Sequence, residues 1–308
     1  MTATTDLLQV GSAVKKPRKR PRYNPFVLWL VPILGHVFLF SIFPIFASFF
    51  LAFTDARLNQ PSFRLIGLGN IIEALTRDHV FLRSLRNTLY YSFVSVPLGM
   101  AISLVLAQFI FNRKYLKSLF RTVYFLPVVT PFIATVIIWR FFLQPSQFGI
   151  LNSLLGLFGI HAQPWLRSTT QVIPSIILIS IWGGLGYNLV LFLAGLGGIP
   201  VEFYEAAKID GANSWQLFWW ITWPLLAPVV LFTTVTGSIG AMQIYGVPQI
   251  LTGGGPEDAS RVILMHIQQQ GFQYFRMGYA SSLAIITFTI ILVLAIIQLR
   301  FLRTRYSY

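Results

Sequence analysis

Six apolar stretches dominate the 308-residue chain: Phe26–Phe53, Thr88–Phe111, Ser118–Phe142, Ile173–Leu196, Ile221–Tyr245 and Gly278–Phe301. None contains an aspartate or a glutamate. A helix rises about 1.5 Å per residue, so about 20 apolar residues cross a hydrocarbon layer about 30 Å thick. Each stretch is long enough to span. Open strands are excluded in lipid because their backbone groups would lack partners, whereas a helix satisfies its own. Only 10% of the residues are charged and 55% are hydrophobic. A soluble domain carries about 25% charge. The expected fold class is an all-α, multi-pass integral membrane protein with six transmembrane helices, and a soluble enzyme is excluded.

Residues 1–25 read as a polar tail with a basic run: Lys15, Lys16, Arg18, Lys19, Arg20 and Arg22. The apolar stretch after it is too long for the core of a signal peptide, and no small-residue cleavage site follows, so the first span is expected to remain. Basic residues concentrate on the cytoplasmic side of membrane proteins. With both termini inside, fourteen of the 23 Lys and Arg residues face the cytoplasm and nine face outward. The expected organisation is a basic cytoplasmic tail at 1–25, a transmembrane domain over 26–305 and a short C-terminal tail at 306–308. A net charge of +14 would suggest nucleic acid in a soluble protein. Here orientation and contact with anionic membrane lipid explain it, and no nucleic-acid partner is expected.

Proton- or sodium-driven transporters use intramembrane carboxylates or broken-helix ion sites. The carboxylates are missing, which weighs against an ion-coupled secondary transporter. The four histidines (His36, His79, His161 and His266) are scattered, and cysteine is absent. No metal site is expected, and His36 is expected to be packed and hydrogen-bonded within the first span. The spans instead carry neutral hydrogen-bonding groups: Gln108, Ser180, Trp182, Tyr187, Asn188, Thr233, Thr234, Thr236, Ser238, Gln243 and Tyr245. Such groups suit a neutral polyhydroxy ligand. They also suit helices held together by side-chain hydrogen bonds, and composition leaves both readings open.

Residues 197–220 join the fourth and fifth stretches on the expected cytoplasmic side. Pro200 fits the first turn of a helix, where its missing N–H is no loss, and Glu202 then lies at the positive helix end. Phe203, Ala206, Ala207 and Ile209 give that helix an apolar surface. Gly211 fits a left-handed stop, and Ser214 can cap the next turn. The segment predicts two short helices with a glycine bend between them.

Glu205-Ala206-Ala207, Gly211, Ile221 and Trp223-Pro224 resemble the EAA loop of ABC importer permeases, with Trp223 departing from that pattern's leucine. Other segments are similar to the carbohydrate-uptake branch of that family, which includes the permeases of maltose-type systems. They are Gly67-Leu68-Gly69-Asn70, Asn87-Thr88, Gly149-Ile150-Leu151-Asn152, Leu251-Thr252-Gly253-Gly254-Gly255-Pro256 and Met277-Gly278-Tyr279-Ala280.

The resemblance implies a type I importer permease fold in a bacterial or archaeal cytoplasmic membrane. It implies that Glu205, Ala206, Ala207, Asp210 and Gly211 couple to an ATPase subunit. Through a Trp-x-Gly-x-x-Tyr pattern at Trp182, Gly184 and Tyr187, it implies a substrate path past Ser180, Gly184, Tyr187, Gln243 and Tyr245. The chain has no Gly-x-x-x-x-Gly-Lys-Ser/Thr phosphate loop, so it is expected to be a permease without an ATPase site or cofactor of its own. ATP and Mg would be held by two ATP-hydrolysing partner subunits. The remaining partners implied are a second permease, or a copy of this chain, and an extracytoplasmic solute-binding protein. The expected function is import of a sugar or related polyhydroxy solute, with glycerol phosphate, a polyol or another small solute as the alternative.

Overall fold

A computed structural model describes residues 25–111 and 129–302. The rest of the expected N-terminal tail, the basic loop around Arg113–Arg121, the first part of the third expected span and the C-terminal residues 306–308 lie outside them. The chain divides into two compact units, 1–47 and 48–308.

The described part of the first unit is helical: α1 (Pro25–Val37), a π-turn (Phe38–Ile42) and the start of α2 (Phe43–Leu51). Trp29, Phe40 and Phe46 are all exposed. A helix apolar on every side is a buried core helix or a membrane span. His36 is exposed and stands with its ring 4.8 Å from that of Phe40, rather than packed in a core.

The second unit opens with α3 (Gly69–Thr76) and α4 (His79–Phe111). The 33 residues of α4 measure about 50 Å. It starts nine residues before the expected span, because its first turns are polar and stand beyond the hydrocarbon layer. Then follow α5 (Phe132–Phe142), α6 (Ile150–Gly156), α7 (Val172–Gly197), α8 (Val201–Ile209) and α9 (Ser214–Leu217). A π-turn (Phe218–Thr222) leads into α10 (Trp223–Met242), followed by α11 (Gly246–Thr252), α12 (Ile263–Gln268) and α13 (Met277–Phe301).

Among the described residues five helical runs are long and apolar enough to cross a membrane: Trp29–Leu51, His79–Phe111, Val172–Gly197, Ser214–Met242 and Met277–Phe301. The chain is a multi-pass, all-α membrane protein. The described part of the third expected span is the 11-residue α5.

Helix α4 packs along α7, and α10 packs on both and on α13. One apolar cluster joins Leu104, Ile110, Leu189, Phe192, Leu196 and Leu226 at the end of the bundle that carries the 197–220 loop. A second joins Tyr91, Val136, Ile173, Ile176 and Val247 further along. A third, around Phe81, Ile263, Tyr279 and Leu283, lies at the opposite end.

At that opposite end, polar side chains tie the loops to the helices. Asp78 caps α4, its Oδ1 accepting from the Phe81 N–H at 2.8 Å. Its Oδ2 accepts from the Tyr279 hydroxyl at 2.7 Å and lies 2.8 Å from Nε2 of His266. Burial pushes the Asp78 carboxyl up, but the Phe81 N–H, Tyr279 and His266 outweigh it and hold it below its ordinary value. Arg276 donates to both Glu73 carboxylate oxygens at 2.8 Å. Asn87 donates to the carbonyls of Asp258 and Arg261, and Asn70 to those of Ala52 and Thr54. Gly278 lies so close to the Thr54 carbonyl that a Cβ there would overlap it. Asn152 is a hub: it donates to the carbonyls of Gln144, Ser146 and Gln163, and accepts from the Gln163 N–H and the Trp165 indole. These motif residues are therefore loop fasteners.

Candidate functional site

The 197–220 loop folds as two short helices around a bend. Pro200 is extended (ψ 135°) and is the N-cap, so α8 starts one residue after the expected position. None of its nine residues is buried, and Ile209 is 87% exposed. The helix closes on paired bonds. The Gly211 N–H donates to the Lys208 carbonyl at 3.0 Å, and the Ala212 N–H to that of Ala207 at 2.9 Å. This 6→1 and 5→2 pairing requires a left-handed residue after the cap. Gly211 supplies it, with φ +83°.

The cap of α9 is Asn213, not Ser214. Asn213 is extended and its side chain accepts from the Gln216 N–H at 2.9 Å, while Gln216 Oε1 accepts from the Asn213 N–H at 2.8 Å. Ser214 is the first helical residue.

Glu205, Ala206, Asp210 and Gly211 are exposed and Ala207 is half-buried, so the expected coupling residues share one protruding helix and bend. Tyr204, which sequence reading passed over, fixes that protrusion to the membrane helices. Its ring packs on the Leu104–Leu226 cluster. Its hydroxyl is 3.0 Å from Oγ1 of Thr222, a residue 1% exposed at the foot of α10.

Deeper in the bundle three helices present residues at four-residue spacing to one cavity of about 180 Å³. Tyr91, Ser95 and Gly99 come from α4, Ser180, Gly184 and Asn188 from α7, and Thr233, Gly237 and Ala241 from α10. Residues four apart stack on one helix face, so three small or polar stripes converge. A second cavity of about 510 Å³ shares Tyr91 and Ser180 and adds Thr130, Thr135 and Tyr187.

Ser180 thus lines both cavities, Gly184 the smaller and Tyr187 the larger. Gln243 and Tyr245 stand at the break between α10 and α11 and line neither cavity. Tyr91 and Ser95 are additions. Their signal was the four-residue spacing of polar and small residues inside an otherwise apolar stretch. A third cavity, about 850 Å³, lies between α5 and α11, with Arg140 and Arg167 at its wall, and contains none of the expected path residues. Among the described residues no cluster of His, Asp and Glu could hold a metal ion.

This architecture has close counterparts. A crystal structure of a bacterial alginate ABC transporter, in complex with its alginate pentasaccharide-bound periplasmic protein, contains a chain that superposes with a TM-score of 0.79. That match covers 92% of this chain and 96% of the other at 22% identity, which establishes the shared fold. The probable ABC transporter permease protein YurN of Bacillus subtilis is 35% identical over 281 residues, covering 90% of this chain and 95% of YurN. The lactose transport system permease protein LacF of Rhizobium radiobacter is 33% identical, covering 90% of this chain and 94% of LacF. Residues 96–306 match the family described as binding-protein-dependent transport system inner membrane component. The chain belongs to that family, the membrane-embedded permease subunits of ABC transporters.

Proposed function

We propose that the chain forms half of the translocation path of an ATP-driven importer for a sugar or related polyhydroxy solute. The observation that carries this reading is the convergence of the three stripes on one cavity. Its hydrogen-bonding groups are all uncharged. A polyhydroxy solute exchanges hydrogen bonds with water for hydrogen bonds with such groups, and an ionic site would cost desolvation without return. The names of the relatives support the class: lactose for LacF and arabinooligosaccharides for AraP of Bacillus subtilis, 30% identical over 276 residues.

In this reading the chain has six spans, the third running through residues 118–142, with both termini in the cytoplasm. It pairs with a second permease, or with a copy of itself, and with two ATPases. A solute-binding protein delivers substrate from outside. Glu205, Ala206, Ala207, Asp210 and Gly211 dock in a cleft of one ATPase, and Tyr204 passes the motion of α8 to the foot of α10. Ser180, Gly184 and Tyr187 border the path, with Gln243 and Tyr245 at its far end.

The test is uptake by proteoliposomes holding the complete importer, with solutes first chosen by binding to its cognate solute-binding protein across sugars and polyols. ATP-dependent uptake of a neutral saccharide, lost on Tyr187→Ala while the ATPase still co-purifies, is the expected result. Uptake driven by an ion gradient without ATP would overturn the proposal.

A further inference from the structure

Four tryptophans fall within nine residues: Trp215, Trp219, Trp220 and Trp223. They lie on α9, the π-turn and the first residue of α10, and are 70%, 43%, 79% and 38% exposed. Trp215, Trp219 and Trp223 touch in series, with ring centroids 5.7 and 5.8 Å apart. Phe218 joins them edge-on to Trp219 at 5.3 Å. None of the four indole N–H groups meets a protein acceptor among the described residues. No charged residue stands between Asp210 and Glu257.

The depth of this cluster follows from helix length. The uncharged helical run Ser214–Met242 has 29 residues and measures about 44 Å, about 14 Å more than the hydrocarbon layer. Residues 214–222 are the end of that run next to the exposed, charged helix α8, so they carry the excess length into the headgroup layer. Tryptophan suits that depth, because its ring prefers the acyl boundary while its N–H needs a wet acceptor.

We propose that Trp215, Trp219, Trp220 and Trp223 form a docking surface for the phospholipid headgroups of the cytoplasmic leaflet. Their indole N–H groups donate to phosphate and ester oxygens. The surface sets the depth at which α8 is held, only four residues away from α9. The leaflet assigned rests on the reading of residues 197–220 as the ATPase-facing loop, and the experiment separates the two.

The complete importer is reconstituted in vesicles containing alkyne-tagged phosphatidylethanolamine, with p-benzoylphenylalanine in place of Trp220 or, separately, of Ile209. Illumination is expected to attach lipid at position 220 and the ATPase subunit at position 209. Attachment of the ATPase or of another permease chain at position 220, or of no lipid there, overturns the proposal. Lipid at 220 with no ATPase at 209 leaves the lipid surface standing and removes the coupling reading. As a second measurement, lipids brominated along their acyl chains should quench a smaller fraction of fluorescence in the Trp219→Phe, Trp220→Phe double variant than in the native importer. Equal fractional quenching also overturns the proposal.

Discussion

The hydroxyl of Tyr204 lies 3.0 Å from Oγ1 of Thr222, joining the middle of the exposed helix α8 to the foot of α10 across eighteen residues of chain. Two hydroxyls and one ring therefore connect a surface loop to a membrane helix. Tyr204→Phe removes only the oxygen and leaves the ring on its cluster. It should cost about 1 kcal/mol of stability and lower the number of solute molecules moved per ATP in proteoliposomes. An unchanged ratio would show that this contact does not transmit.

Gly211→Val tests the bend. A β-branched residue at φ +83° is strained by roughly 1–2 kcal/mol. The pair of bonds from Gly211 and Ala212 should loosen and α8 should lose its fixed end. Substrate-stimulated ATP hydrolysis is expected to fall while the basal rate persists. Full stimulation in this variant would remove Gly211 from the coupling role.

Gly184→Leu tests the cavity. A Cβ added at Gly184 meets nothing within 4 Å, so the chain should fold, but the side chain fills much of a space of about 180 Å³. Uptake should drop at least about tenfold, an effect of about 1.4 kcal/mol on the barrier. Gly184→Ala should retain most of it. Native uptake by the leucine variant would place the solute path elsewhere.

Asp78 gives a pH signature. Its folded-state value is depressed by the Phe81 N–H, Tyr279 and His266 against the opposing effect of burial. A depressed carboxyl contributes stability that is complete above its unfolded value, about 3.9, and is lost as pH falls through the folded value. Melting of the importer in detergent should decline with acid over that window, and Asp78→Asn should flatten the decline. The variant should also be less stable at neutral pH by roughly 1.5–3 kcal/mol, the range for hydrogen bonds to a charged group. An unaltered acid slope would assign the window to other groups.

Asn152→Ala should destabilise more than any surface change, because it frees three carbonyls, the Gln163 N–H and the Trp165 indole at once. Leaving buried groups unpaired costs about 1–3 kcal/mol each, and some of these will find water, so a loss of about 3 kcal/mol is expected by thermal unfolding. A change below about 0.5 kcal/mol, the usual limit for surface substitutions, would remove its role as a hub.

Five of the six expected spans were legible because lipid demands long uncharged runs. The early start of α4 was not, since Arg83 and Arg86 break hydropathy where the helix leaves the membrane. The bend at Gly211 was legible, because a left-handed stop has a residue signature. The cap at Asn213 was not, because Asn213 and Ser214 are both good caps and only backbone geometry chooses between them. Ser180 and Gly184 could be placed on one helix face from their spacing. Tyr91 was hidden, because hydropathy counts an aromatic as filler. Loop fasteners such as Asn87 and Asn152 could be noticed as motif residues, but their long-range carbonyl partners have no signature in spacing.

The four-residue stripes of α4, α7 and α10 have a mechanical consequence. Their pitch nearly matches the helix repeat of about 5.4 Å. If one helix slides along its axis by a turn, each cavity position receives the next member of the same stripe: Ser95 for Tyr91, Gly184 for Ser180, Gly237 for Thr233. The first position of each stripe then exchanges a larger group for a smaller one, while the Gly184 and Gly237 positions receive the larger Asn188 and Ala241, with no change in net charge. A bundle built this way can widen or narrow its interior by indexing, as a ratchet advances by one tooth, without breaking an ion pair to do so.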